Sequence, residues 1–155
     1  YVARSREAGV DGLLTLDLPP EEASELVASC RQNGLKNIFI IAPTTPENRI
    51  PTIVESSTGF IYYVSRAGVT GERKDLADDL DIRVTTIKKY TDLPVVVGFG
   101  ISTPEQVSKV SAVADGVVIG STLVKCISEN LGNPDLIVEK ISARTETLST
   151  GLSKM

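Results

Sequence analysis

Five short apolar runs, each followed by a segment with helical spacing, constrain the fold of this chain more than any other feature. They predict strands at about 12–16, 38–42, 60–64, 94–98 and 115–119. The second run is apolar at every position, which is typical of a parallel strand covered on both faces. Because alternating strands and helices form right-handed βαβ units, we expect one parallel sheet with its strands adjacent in sequence order.

The segments between the runs carry helix-end signals. We expect a helix over 1–8 and Pro20 in the first turn of the next helix. Thr45 is a predicted N-cap, with Pro46 at the first helical position. Further helices are predicted to begin at Ser102-Thr103-Pro104-Glu105, Ser121 and Pro134.

Length and composition predict a single globular domain over residues 1–155, with 41% hydrophobic and 23% charged residues. The net charge of −4 argues against nucleic acid as a partner. The chain has no histidine, so proton transfer would need carboxylates, Lys, Tyr or Cys. Cys30 and Cys126 are predicted to be buried, reduced thiols. No run reaches the length of a membrane span, and we expect a cytoplasmic protein, or one of the plastid stroma if the source is a plant or an alga.

Glycines follow three consecutive predicted strands. Gly68 and Gly71 lie in the loop after the third strand, Gly98 and Gly100 end the fourth, and Gly120 ends the fifth. Glycine lets backbone N–H groups approach a ligand without a Cβ in the way, and helix N-termini favour anions. The pattern therefore predicts a phosphate site, although each glycine taken singly is more typical of a turn than of a phosphate ligand.

Two architectures fit the alternation: an open doubly wound sheet, and strands four to eight, the C-terminal part, of a (β/α)8 TIM barrel. Barrels of this kind often hold phosphate with the loops after their last two strands. A doubly wound sheet would more often have its glycine-rich loop after the first strand, where this chain has Asp17-Leu18-Pro19-Pro20. We therefore favour the barrel.

Several motifs together closely resemble the α subunit family of tryptophan synthase. The Gly68-Val69-Thr70-Gly71 loop combined with Gly98-Phe99-Gly100-Ile101-Ser102 is the most specific part of the likeness. The other matching stretches are Gly9-Val10-Asp11-Gly12, Asp17-Leu18-Pro19-Pro20-Glu21-Glu22, Ala42-Pro43-Thr44, Gly59-Phe60-Ile61-Tyr62-Tyr63-Val64-Ser65, Pro104-Glu105-Gln106 and Ala114-Asp115-Gly116-Val117-Val118-Ile119-Gly120-Ser121.

The resemblance implies a (β/α)8 barrel that cleaves indole-3-glycerol phosphate to indole and glyceraldehyde 3-phosphate, as a lyase of tryptophan biosynthesis. It implies no cofactor and no metal for this subunit. It also implies an α2β2 complex with a pyridoxal-phosphate-dependent β subunit, to which indole passes through a tunnel.

The resemblance also assigns roles to individual residues. Backbone groups of Gly71, Gly100, Gly120 and Ser121 would hold the substrate phosphate. Tyr62 would lie near the glycerol chain, and the indole pocket would be lined by Phe99, Leu14 and Val118. Thr70 would anchor a loop that closes over the site, and Pro19 would approach the β subunit.

The family's catalytic Glu and Asp lie on and after the second barrel strand, and no residue of this chain matches either position. Because the chain begins at Tyr1 without an initiator Met, we expect it to be part of a longer protein. Because both carboxylates are missing, we expect it to be inactive alone.

Some alternatives stay open at this level. Asp17 is either a turn or capping partner or a functional carboxylate, and Arg66 either neutralises the phosphate or forms a structural ion pair. The alternatives for function are another phosphate-binding barrel, such as an isomerase of tryptophan or histidine synthesis, and a non-catalytic module that binds phosphate esters.

Overall fold

The computed structural model describes residues 1–65, 75–98 and 100–152, with the backbone alone for 75–79. Within these ranges the chain forms one five-stranded sheet in the order β1-β2-β3-β4-β5, with every neighbouring pair parallel. The strands are β1 Gly12–Leu14, β2 Lys36–Ile41, β3 Ile61–Val64, β4 Val95–Gly98 and β5 Gly116–Val118. The predicted parallel sheet with sequential strand order is therefore confirmed.

Helices connect successive strands, and further helices precede the first strand and follow the last one in the chain. They are α1 Val2–Glu7, α2 Ser24–Gln32, α3 Ile50–Ser56, α4 Asp75–Lys88, α5 Pro104–Ser111, α6 Ser121–Ser128 and α7 Pro134–Ser149. Short 3-10 turns, Pro20–Glu22 and Glu47–Arg49, precede α2 and α3.

One face of the sheet packs against helices. Successive strand side chains point to opposite faces, and those of one parity are buried, as at Phe39, Tyr63 and Val97. They form one hydrophobic cluster with helix residues Ile50, Ile53, Val84, Ile87, Val107 and Val110. The apolar faces of α3, α4 and α5 thus supply the helix side of the core.

The other face of the sheet is more open. The register pairs Leu14 with Ile38, Ile40 with Tyr62, and Gly98 with Val118, so these residues share one face. Most of its apolar side chains are partly exposed, the exception being the buried Ile38; the partly exposed ones are Leu14, Ile40, Tyr62, Val64, Val96 and Val118. A doubly wound sheet covers both faces with helices, whereas a barrel turns one face toward its own interior. The sequential order and the one-sided packing therefore identify a segment of a barrel.

Three local predictions were wrong in detail. Thr45 does not cap a helix: its hydroxyl accepts from the Ala42 N–H at 3.0 Å, and Pro46 precedes the 3-10 turn instead. Pro20 begins a 3-10 turn rather than the α-helix, which starts at Ser24. Cys30 is buried, but Cys126 is only partly buried; both thiols are free. Burial raises the pKa of the Cys30 thiol.

None of the helices in the described ranges is long and apolar enough to cross a membrane.

Candidate functional site

The turn after β4 contains the predicted phosphate ligand Gly100. Its φ of 70° lies in the left-handed region, which glycine adopts without steric cost. Gly100 is exposed, whereas the next residue, Ile101, is 3% exposed and anchors the turn in the core. The turn is thus fixed on one side and accessible to solvent on the other.

The start of α6 contains the other two described phosphate candidates. Gly120 is the N-cap and Ser121 is the first helical residue, and both are exposed. The first hydrogen bond at this end runs from the Leu123 N–H to the Gly120 carbonyl at 2.9 Å. The amides before it have no partner inside the helix, so they can bind an anion at the positive end of the helix dipole.

A hydrogen bond joins these two segments. The Thr122 hydroxyl donates to the Ile101 carbonyl at 3.0 Å, which ties the first turn of α6 to the residue after Gly100. The structure therefore brings together two of the three loops that the sequence assigned to phosphate.

Side chains from α7 and from the start of α5 also hold this turn. Arg144 of α7 donates to the Ser102 carbonyl at 2.6 Å. Gln106 and Thr103 form a capping box at the start of α5, which confirms the helix start predicted there. No sequence motif predicts a site role for Thr122, Gln106 or Arg144. The Thr-Pro-Glu-Gln pattern signals the capping box, but no local pattern signals a contact between residues 42 positions apart.

Tyr62 and Val118 meet on the open face beside Gly98. A Cβ placed on Gly98 would lie 2.7 Å from the Val118 Cβ and 2.8 Å from the Tyr62 hydroxyl oxygen. The absence of a side chain at Gly98 therefore allows the two predicted pocket residues to converge. Tyr63, the neighbour of Tyr62, is 3% exposed and packs on the helix side.

Leu14 lies on the same face but further along the sheet. It is 46% exposed and belongs to β1, two strands away from Tyr62. At the usual spacing between strands this corresponds to about 10 Å. The described residues therefore do not bring Leu14 into the group formed by Tyr62, Gly98 and Val118.

The loop after β1 carries Pro19, the predicted partner contact. Pro19 is partly buried and precedes the 3-10 turn that contains Glu21. Arg49 binds both carboxylate oxygens of Glu21 at 2.8 Å, and these hydrogen bonds lower the pKa of Glu21 to about 2. The pair links the loop after β1 to the segment after β2.

Asp17 is exposed, and none of the described residues forms a hydrogen bond or an ion pair with it. The reading of Asp17 as a turn or capping partner therefore finds no support in the described contacts.

Five residues singled out by sequence lie outside the described ranges: Arg66, Gly68, Thr70, Gly71 and Phe99. Within the described ranges, no three His, Cys, Asp or Glu side chains group together as metal ligands would.

A cavity of about 160 Å³ lies at the amino end of β2, away from these residues. It is lined by Val27, Arg31, Gly34, Leu35, Lys36, Asn37 and Thr58.

The family profile that matches this chain and two of its sequence relatives all bear the name tryptophan synthase alpha chain. The family profile described as "Tryptophan synthase alpha chain" matches residues 1–153. The tryptophan synthase alpha chain of Opitutus terrae is 55% identical over 154 residues, which are 99% of this chain and 58% of that protein. The alpha chain of Citrifermentans bemidjiense is 48% identical over 148 residues, which are 96% of this chain and 55% of that protein.

Solved structures agree with the sequence relatives. A chain from the tryptophan synthase α2β2 complex of Pyrococcus furiosus superposes with a TM-score of 0.82 at 37% identity, covering 96% of this chain and 59% of that one. Tryptophan synthase subunit alpha of Campylobacter jejuni gives a TM-score of 0.80 at 33% identity, with coverages of 90% and 56%. The chain thus spans somewhat more than half the length of the proteins it matches.

Proposed function

Because this chain belongs to the tryptophan synthase alpha chain family, we propose that it supplies the phosphate-holding part of an active site that cleaves indole-3-glycerol phosphate to indole and glyceraldehyde 3-phosphate. The observation that carries the proposal is the Thr122–Ile101 hydrogen bond, which holds Gly100 close to the exposed start of α6. Both segments follow the carboxyl ends of neighbouring parallel strands, where barrel enzymes bind their substrates.

The substrate phosphate is bound by the backbone N–H groups of Gly71, Gly100, Gly120 and Ser121. The exposure of Gly100, Gly120 and Ser121, together with the helix N-terminus at Ser121, supports three of these four contacts. The fourth, Gly71, rests on the motif resemblance.

The indole and glycerol parts of the substrate lie on the open face. Tyr62 and Val118 support this placement because they converge beside Gly98 at the carboxyl end of β4. From the motif resemblance alone, we propose that Leu14 and Phe99 line the indole pocket and that Thr70 anchors a loop that closes over the site.

The partner of the whole protein is a β subunit in an α2β2 complex. The related Pyrococcus furiosus structure is described as such a complex. The loop that carries Pro19 is the proposed contact in this chain, and the bidentate Glu21–Arg49 pair links the end of this loop to the segment after β2. The free thiols of Cys30 and Cys126 are consistent with a cytoplasmic location.

The 155 residues by themselves bind but do not catalyse. Cleavage requires protonation of the indole ring at the carbon that bears the side chain, and removal of a proton from a glycerol hydroxyl. Both groups that the family uses for these steps lie outside this sequence. Binding a substrate without preferential stabilisation of its transition state does not accelerate the reaction.

An indole-release assay tests the proposal. A full-length family protein that carries these 155 residues, called the full-length protein below, should release indole from indole-3-glycerol phosphate, and more rapidly with its β subunit. The 155-residue chain should release none under either condition. A folded full-length protein that binds the phosphate ester without releasing indole would contradict the proposal and identify a non-catalytic binding module. Turnover by the 155-residue chain would contradict its inactivity, and Asp17→Asn would then be the first variant to examine.

A further inference from the structure

Three side chains from three helices converge on the turn after β4. Gln106 comes from α5, Thr122 from α6 and Arg144 from α7. We refer to these three side chains as the loop brace. All three bond to main-chain groups of residues 101–103, directly after Gly100.

The loop brace holds the turn through several main-chain groups. Thr122 and Arg144 donate to the consecutive carbonyls of Ile101 and Ser102, at 3.0 and 2.6 Å. The Gln106 side-chain oxygen accepts from the Ser102 N–H at 2.7 Å and from the Thr103 N–H at 3.2 Å. Gln106 is 7% exposed, so these bonds are shielded from competing water.

Helix capping explains only part of this arrangement. A capping box at α5 needs the bond between the Gln106 side chain and the Thr103 N–H. It does not need the bond to Ser102 from Gln106, nor the contacts from α6 and α7. These additional bonds act on the turn itself.

Resting on the function proposed above, we propose that Thr122 and Arg144 are positioning residues, which fix the Gly100 amide relative to the Ser121 amide before substrate binds. Gly100, at φ 70°, has more backbone freedom than any other residue type would have at this point. Thr122 directly follows Ser121 in the chain and bonds to the residue after Gly100, so it links both halves of the phosphate site. Arg144, 42 residues further along the chain, donates to the next carbonyl, that of Ser102.

This role predicts a specific kinetic effect. The phosphate is remote from the bond that breaks, so its contacts are equally strong in the ground state and the transition state. Loss of such contacts raises KM and leaves kcat nearly unchanged. A residue that only stabilises the fold would lower the amount of active enzyme without a selective change in KM.

The test is a comparison of Thr122 variants of the full-length protein, assayed with its β subunit. Thr122→Val keeps the shape of the side chain and removes the hydroxyl, and we expect KM for indole-3-glycerol phosphate to rise about three- to tenfold, with kcat within about twofold. Thr122→Ser keeps the hydroxyl and should restore KM. Thr145→Val is the matched control, because it also removes a threonine hydroxyl bonded to a carbonyl, at an exposed position within α7.

A second variant and a second measurement cover the case in which Thr122→Val does not fold. Arg144→Met keeps the aliphatic stem and should raise KM in the same way, with partial recovery in Arg144→Lys. Titration with inorganic phosphate, followed by the NMR shifts of the Gly100 and Ser121 amides, should show weaker binding in the folded variant than in the wild type.

The outcomes separate the two proposals. Turnover by the wild type with an unchanged KM and unchanged phosphate affinity in Thr122→Val or Arg144→Met overturns the positioning role and leaves the proposed function standing. A folded wild type with neither turnover nor phosphate-dependent shifts overturns both. The positioning role is also overturned if KM rises by the same factor in Thr122→Val and in the control, Thr145→Val.

Discussion

At Gly98, the last residue of β4, neighbouring atoms already occupy the space that a side chain would need. A Cβ there would lie 2.7 Å from the Val118 Cβ and 3.0 Å from the Val118 carbonyl oxygen, so β5 would have to shift. We predict that Gly98→Ala destabilises the full-length protein by about 1–3 kcal/mol, as overpacking does. It should also reduce activity, because the Tyr62 hydroxyl would be displaced from beside the site.

Chemical unfolding of the variant measures the first effect, and Gly132→Ala is its matched control. Apart from Gly132 and its two chain neighbours, no atom of the described residues lies within 4 Å of the corresponding Cβ position. Equal stability of the two variants would contradict the packing described for Gly98.

Sequence alone could predict that Tyr62 and Tyr63 face opposite sides of a strand, because this follows from the period of two. The strand period could not tell which of the two faces the helices, and only the motif resemblance selected Tyr62 for the site. The structure assigns Tyr63 to the helix side, where it is 3% exposed.

Asp115, directly before β5, links this strand to β4 and to α4. Its carboxylate accepts from the Val95 N–H at 2.8 Å and pairs with Lys88 at 2.9 Å. Burial by itself would raise the pKa of Asp115, but the hydrogen bonds from Val95 and Lys88 outweigh it, so the pKa is lowered. The ionised carboxylate thus stabilises the folded state.

We predict that Asp115→Asn lowers stability at neutral pH and that its difference from the wild type shrinks in acid. A lowered folded-state pKa gives stability that is fully present well above the ordinary value of 3.8 and is lost as pH falls through the folded pKa. Urea unfolding at pH 7 and pH 3 measures the change, with the exposed Asp81→Asn as control. A difference that stays constant, or grows in acid, would show that the Asp115 contacts do not depend on its charge.

The positions of the elements were largely predictable because apolar runs and prolines are local signals. Their ends were less so. The predictions for β1 and β5 each extended past the observed strands, Gly12–Leu14 and Gly116–Val118, which pair with one neighbour only in the described sheet. Thr45 was misassigned because its hydroxyl accepts from the N–H of Ala42, three residues earlier, and does not cap the following helix.

For the whole molecule, the open face and the sheet edges determine how the isolated chain should behave. The partly exposed side chains of the open face are apolar, and β1 and β5 form the two edges of the described sheet. In a closed barrel every strand has two neighbours and the interior is filled by side chains. We propose that the chain is one domain whose free surfaces are covered by the rest of the barrel.

We predict that the purified 155-residue chain self-associates. Unpaired strand edges and an exposed apolar face favour pairing between copies. Size-exclusion chromatography with light scattering should give a mass well above 16.6 kDa, and a separately made N-terminal segment of the full-length protein should reduce it. A monodisperse species of 16.6 kDa that does not respond to that segment would contradict the open-face description.

The sheet order could be predicted from the sequence because it depends on the local alternation of strands and helices, whereas the candidate site loops rest on motif resemblance. The bond from Arg144 to Ser102 did not, because it joins residues that come together only when α7 packs beside α5. Long-range contacts of this kind set the geometry of the site.

The most direct test of the central claim, that the Gly100 turn binds the phosphate of indole-3-glycerol phosphate, compares two glycine variants of the full-length protein. Gly100 and Gly34 have nearly the same φ, 70° and 69°, so Val imposes similar backbone strain at either position. Gly34 lies in the turn between α2 and β2, beside the amino end of β2. Apart from Gly34 and its two chain neighbours, none of the residues that the structure describes lies within 4 Å of its Cβ position. We predict that Gly100→Val raises KM at least tenfold, roughly the loss of one charge-assisted hydrogen bond, while Gly34→Val leaves KM unchanged. An unchanged KM in a folded Gly100→Val variant would contradict the account.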